Sequence, residues 1–189
     1  GQQILGFETS GKGTYLFGLE ESYGCLIGTY ARDKDAVSAT VALCEAAAYY
    51  ATQGKTLWDV MLEMYEKYGY CIDRITSMDF PGLEGMDKMQ SMLSAFRENP
   101  PKEIAGYKVE KVRDYSNDTI LDVATGETSP IGLPSSNVLY YELEGGAWVC
   151  VRPSGTEPKI KFYYGVKADS MDAAQAESDK LDAWAKSQA

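Results

Sequence analysis

The chain has 189 residues, 44% of them hydrophobic and 24% charged, which suits one folded domain or two small ones and excludes a disordered or collagen-like chain. A net charge of −10 opposes nucleic acid and anionic membranes. No apolar run approaches the roughly 20 residues of a membrane-spanning helix, and the first residues lack the pattern of a secretory signal, so the expectation is a cytoplasmic protein with no nucleic acid or membrane partner.

In chain order, the first expected element is a strand-like run at Thr14–Gly18, feeding a polar loop from Glu20 to Gly24. A helix follows the charged stretch Arg32-Asp33-Lys34-Asp35: Val37, Val41, Cys44, Ala48 and Ala51 recur at three- and four-residue spacing until Gly54. A second helix opens at Thr56, with Asp59 three places on, and Gly69 stops it. The pattern then changes to a β-run from Tyr70 to Ser77, closed by Phe80-Pro81-Gly82. A Met-rich helix comes next, with Met86, Met89, Met92, Leu93 and Phe96 expected inward, and Pro100-Pro101 end it.

Further strands are expected at Tyr107–Tyr115, Asn137–Glu144, Ala147–Val151 and Ile160–Lys167, and a last helix from about Ser170 to Lys186. Gly145-Gly146 signals a tight hairpin. The order is β-α-β-β-β-β, or β-α-β-β-β-α if the two middle pieces merge, and it predicts an α+β unit with helices on one face of an antiparallel sheet. Residues 116–136, rich in Asn, Asp, Thr, Gly, Ser and Pro, read as a long insertion rather than core. One strand and one long helix in the first 55 residues make no sheet of useful width, so this stretch is expected to be the tail of a larger α/β domain.

Four Cys without a CxxC pair and no His at all remove zinc knuckles, thioredoxin-type redox chemistry, His-based triads and the usual general base. The strongest remaining signal is Arg152-Pro153-Ser154-Gly155-Thr156-Glu157-Pro158-Lys159 between two β-runs. Arg152 offers a planar fork for two phosphate oxygens, Ser154 and Thr156 offer hydroxyl donors, and Gly155 lets backbone N–H groups approach an anion. Lys159, Lys161 and Lys167 add positive charge to an otherwise acidic chain. An ordinary Ser-Gly-Thr turn beside a solvated basic edge is the alternative these residue types leave open.

The second signal is Gly18-Leu19-Glu20-Glu21-Ser22-Tyr23-Gly24, whose paired carboxylates and hydroxyl suit the vicinal hydroxyls of a sugar. Adjacent acids without a third ligand make a poor metal site. The alternative is an acid that caps a turn or pairs with Arg32 or Lys34.

Taken in order, Phe17–Gly24, Arg32–Asp35 and Arg152–Lys159 resemble the C-terminal half of an α-D-phosphohexomutase of the bacterial phosphoglucomutase/phosphomannomutase type. The resemblance implies that residues 1–55 end the third, sugar-binding α/β domain, 56–69 form a connecting helix, and 70–189 form a TATA-binding-protein-like fourth domain. It implies sugar contacts from Glu20, Glu21 and Ser22, and a phosphate grip from Arg152, Ser154, Gly155, Thr156 and Lys159. Lys34 matches a lysine near the reacting centre and is an accessory candidate. The family works through a phosphoserine and a Mg²⁺ held by a D-G-D-x-D-R loop, with glucose 1,6-bisphosphate as activator and intermediate. Neither motif occurs here. The expectation is therefore a substrate-holding fragment that takes a phosphorylated hexose, partners the N-terminal domains of the same enzyme and carries out no mutase reaction alone. A free-standing phosphosugar-binding module, or a relative acting on mannose or pentose phosphates, is the alternative.

Overall fold

The computed structural model describes every residue except 21–23, 83, 156 and 189. The chain divides into two compact units, Gly1–Met64 and Tyr65–Ala189.

The first unit begins with α1 (Gln2–Ser10), closed by a left-handed Gly11. The sequence reading has no helix there, because only Ile4 of its nine residues is buried and a single buried position leaves no apolar period to read. Strands β1 (Phe17–Leu19) and β2 (Cys25–Ile27) pair antiparallel, Phe17 opposite Ile27 and Leu19 opposite Cys25. The strand expected at Thr14–Gly18 therefore starts later. Helix α2 (Ala36–Ala51) is capped by Asp35, whose carboxylate accepts from the N–H groups of Val37 and Ser38, as an N-cap aspartate should. Helix α3 (Leu57–Tyr68) opens with a reciprocal pair: Thr56 N–H donates to Asp59 Oδ2 (2.8 Å), and Asp59 N–H donates to Thr56 Oγ1 (3.2 Å). It carries the chain across the boundary between the units.

The second unit contains β3 (Tyr70–Asp79), α4 (Gly85–Glu98), β4 (Glu103–Ile104), β5 (Tyr107–Asp114), β6 (Thr119–Asp122), β7 (Thr128–Ser129), β8 (Leu139–Leu143), β9 (Trp148–Pro153), β10 (Lys159–Ala168) and α5 (Met171–Lys186). The main sheet runs β3-β10-β9-β8-β5-β6-β7, with β4 hairpinned onto β5, and its pairs are antiparallel. The two middle pieces do not merge. Gly145 and Gly146, both at positive φ, turn the chain between β8 and β9, a conformation that costs glycine least. The stretch 116–136 is not a bare insertion either, since β6 and β7 extend the sheet at the edge of β5.

Strand periodicity assigns the two faces of this sheet. Ile160, Phe162, Tyr164 and Val166 of β10 are buried, together with Val149 and Val151 of β9 and Leu139, Tyr141 and Leu143 of β8. Met89, Leu93 and Phe96 of α4 join the same core, as do Ala174, Leu181 and Ala185 of α5. Phe96 and Trp184 both meet the Phe162 ring, with centroids 6.3 and 5.9 Å away, so both helices lie on one face. Met86 is an exception to the expected stripe and is exposed. The opposite face carries Arg152 and Lys161, a stacked Tyr140–Trp148 pair with centroids 5.6 Å apart, and an Arg113–Glu142 ion pair joined at 2.6 Å.

Candidate functional site

The expected phosphate loop is the turn between β9 and β10. The ladder places Pro153 opposite Ile160 and Arg152 opposite Lys161, so both cations stand on the face away from the helices. Arg152 is exposed, and neither Arg152 nor Lys161 has an ion-pair partner among the described residues. Like charges directly across a strand pair repel, and an anion between them would relieve that repulsion.

The turn itself is held by its own backbone. Ser154 N–H donates to Lys159 O (2.7 Å), Lys159 N–H to Glu157 O (2.8 Å) and Glu157 N–H to Ser154 Oγ (3.3 Å). From outside the loop, Phe80 N–H donates to Pro158 O (2.8 Å). Gly155 is exposed, with open space where a Cβ would stand, and its N–H has no partner among the described residues. An incoming oxyanion would therefore meet a donor, the Gly155 N–H, in this turn. Thr156 lies outside the described residues.

Lys159, expected to join the phosphate grip, is already engaged. Its ammonium lies 3.3 Å from Asp79 Oδ1 and 3.7 Å from Glu157 Oε2, and the Asp79 hydrogen bond, followed by the charges of Asp79 and Glu157, raises its pKa. Sequence reasoning missed Asp79, because its pairing with Lys159 depends on the β3–β10 register and not on any local pattern.

In the first unit, the described part of the expected sugar loop is Glu20 and Gly24, whereas Glu21 and Ser22 lie outside the described residues. Glu20 N–H donates to Gly24 O (2.9 Å), which closes the loop between β1 and β2. Lys34 Nζ reaches Asp33 Oδ1 at 2.8 Å and Glu20 Oε2 at 3.4 Å. A side chain at Gly24 would run into the Lys34 stem, so glycine there allows lysine and carboxylate to meet. The Asp33 hydrogen bond and charge, and then Glu20, raise the Lys34 pKa, keeping it a cation and a donor near neutral pH. The structure thus brings Lys34 and Glu20 together, whereas Arg32 pairs with Glu8 at 2.5 Å.

Asp35, which the sequence reading grouped with a charged stretch, has a structural task. It anchors the start of α2 through Val37 and Ser38 and accepts from the Tyr30 hydroxyl, while its own N–H donates to Cys25 O at 3.0 Å. An aspartate directly before an apolar helical pattern is the signal that identifies such a cap. Among the described residues no group of three or more Cys, Asp or Glu side chains could hold a metal ion, and no helix is long and apolar enough to cross a membrane.

Comparisons with known proteins follow the two units. Residues 4–68 match the family model described as phosphoglucomutase/phosphomannomutase, alpha/beta/alpha domain III, and residues 97–182 match phosphoglucomutase/phosphomannomutase, C-terminal domain. Over 157 residues the chain is 39% identical to the phosphoglucomutase of Staphylococcus aureus strain bovine RF122 / ET3-1 and 40% identical to that of strain MSSA476. Each alignment covers 83% of this chain and 28% of the relative, so the chain spans little more than a quarter of these relatives' length. In fold it is similar to the open form of the exocytosis-sensitive phosphoprotein pp63/parafusin from Paramecium, with a TM-score of 0.61 and 18% identity over 96% of this chain and 31% of that one.

Proposed function

Because the chain belongs to the phosphoglucomutase/phosphomannomutase family and matches its third and C-terminal domains, we propose that it supplies the substrate-holding part of an enzyme interconverting hexose 1-phosphate and hexose 6-phosphate through a phosphoserine and a bisphosphorylated sugar. The observation that carries this reading is the β9–β10 turn: an exposed Arg152 and a Gly155 N–H, neither with a partner among the described residues, across the ladder from Lys161. Arg152 takes two oxygens of the phosphate remote from the reacting one, since its fork matches phosphate geometry. Gly155 N–H and the Ser154 and Thr156 hydroxyls take the rest, and Lys159 adds charge.

On the first unit, Glu20, Glu21 and Ser22 accept from and donate to sugar hydroxyls. Lys34, kept protonated by Asp33 and Glu20, serves as a cation or proton donor and not as a base. Domain boundaries near residues 55 and 69 accompany this reading, as does a cytoplasmic location. The family's Mg²⁺ has no fitting cluster among the described residues, and glucose 1,6-bisphosphate belongs to the reaction of the longer enzyme. The partner of the first unit is the remainder of that enzyme. Exposed Val37, Val41 and Leu43 on α2 and Trp58, Met61 and Leu62 on α3 support this, because large apolar side chains left uncovered on helices favour burial against a partner.

The reading is tested by titrating this chain with inorganic phosphate and with glucose 6-phosphate while following amide and Arg Nε signals. Gly155 N–H and Arg152 Nε are expected to shift together, and Arg152→Lys is expected to weaken binding about tenfold or more, since a hydrogen bond to a charged group contributes about 1.5–3 kcal/mol. Binding that ignores the Arg152 substitution would refute it.

A further inference from the structure

Lys159 stands at the mouth of the phosphate turn but is not idle. Asp79 is the last residue of β3 and the ladder partner of Lys159, so strand register itself delivers a carboxylate to this ammonium, at 3.3 Å. Glu157 approaches it from the turn at 3.7 Å. The residue after Asp79, Phe80, holds the turn through its N–H to Pro158 O at 2.8 Å, which fixes the end of β3 against the loop. Arg152 and Lys161, the other two cations here, have no counter-ion among the described residues. The five charges around the turn thus fall into two classes: two cations open to an anion, and a third held by two carboxylates.

We propose that Asp79 is an affinity-determining residue of the phosphate site: it competes with the bound phosphate for Lys159 and so sets the grip to release. The inference rests on the reading of the Arg152 turn as a phosphate site. A dianion entering the turn must draw Lys159 away from Asp79 or share it, and it also meets the negative charges of Asp79 and Glu157. A grip weakened in this way suits a reaction whose bisphosphorylated sugar must leave one orientation and rebind in the other, because a phosphate held with all three cations free would resist that turnover.

The test uses this chain, inorganic phosphate as the probe, and three variants. Asp79→Asn is expected to bind phosphate about two- to fivefold more tightly at low salt, the range that an exposed ion pair can be worth, and the gain is expected to shrink as ionic strength rises. Asp79→Glu is expected to restore the original affinity, and neither variant is expected to move the thermal melt, because the Asp79 side chain is 72% exposed. The Lys159 ammonium signal should shift in Asp79→Asn before any phosphate is added. Equal or weaker binding by Asp79→Asn would overturn the proposal, since it would make Asp79 inert or a helper that orients Lys159. Arg152→Gln separates this failure from failure of the underlying reading. If phosphate binds the chain equally well with and without Arg152, the turn is not the phosphate site and both fall.

Discussion

The two units use apolar residues in opposite ways. In Tyr65–Ala189 they form a continuous core in which one sheet face meets α4 and α5. In Gly1–Met64 the buried hydrophobics among the described residues are Ile4 and Leu26, and α2 is a 16-residue helix rich in Ala, Val and Tyr with no buried residue. The first unit is held instead by local polar contacts: the Asp35 cap, the β1–β2 ladder, the Arg32–Glu8 pair and the reciprocal bonds of Thr56 and Asp59. Apolar composition thus states that a helix is built for burial, but not that its covering lies within the same stretch of chain. A residue's worth to stability should differ sharply between the two units.

The largest effect is expected in the core of the second unit. Phe162, fully buried between Phe96 and Trp184, should cost about 3–5 kcal/mol when cut to Ala. Denaturant unfolding followed by near-UV signals of the second unit measures it, and a loss below about 1 kcal/mol would mean that the sheet and helices are not packed as described.

A smaller loss, about 1–2 kcal/mol at pH 7, is expected for Asp182→Asn. The Asp182 carboxylate accepts from Thr76 Oγ1 (2.7 Å), Tyr164 OH (3.0 Å) and Lys186 Nζ (2.6 Å). Its pKa falls from the ordinary 3.8 to about 2, chiefly through Lys186 and then Thr76 and Tyr164, against a partial opposing effect of burial. A depressed carboxylate lends stability in full above its unfolded pKa and loses it as pH falls through the folded value. The second unit should therefore weaken between about pH 4 and pH 2, and Asp182→Asn should flatten that part of an acid titration. An unchanged acid profile in the variant would assign the transition to other carboxylates.

Much of the second unit was legible because its residues follow the period of the element they form. Alternation along Lys159–Ala168 marks a half-buried strand, and Met89, Leu93 and Phe96 mark a helix face. Strands β6 and β7 were illegible: Thr119–Asp122 is half-buried at all four positions, so no alternation exists, and the surrounding turn-formers read as loop. The first unit shows the converse failure. The three-residue strand at Cys25–Ile27 is too short to carry a pattern, whereas the period of α2 is real but points at no core within the unit. For the site, residue types in the Arg152 turn suffice to suggest an anion, and Asp33-Lys34-Asp35 announces a charged loop before a helix. The Asp79–Lys159 pair joins residues brought together by strand register alone, and no local pattern encodes it.

The polar scaffold of the first unit gives the next prediction. Asp35→Ala removes the acceptor for two N–H groups at the start of α2 and should loosen that helix's first turn, a smaller loss than that of Asp182→Asn. The loss should appear as faster amide exchange in the first turns of α2, without a shift in the main unfolding transition of the second unit. A shift of both together would show that the two units unfold as one.

The smallest expected effect is the most direct test of the contrast. Leu43 on α2 is 60% exposed, so Leu43→Ser removes little surface from a covered place, and the remaining cost is the poorer helix propensity of Ser, a few tenths of a kcal/mol. A leucine of the second unit such as Leu181, fully buried, would lose about 2–5 kcal/mol on truncation to Ala. The stability of this chain should therefore change by less than about 0.5 kcal/mol in Leu43→Ser, while removal of an exposed apolar side chain should reduce self-association at high concentration. Circular dichroism melts and sedimentation of the two proteins measure these outcomes side by side. A loss above about 1.5 kcal/mol in Leu43→Ser would show that α2 has a covered face within this chain, and the contrast between a packed second unit and a polar-stapled first one would fail.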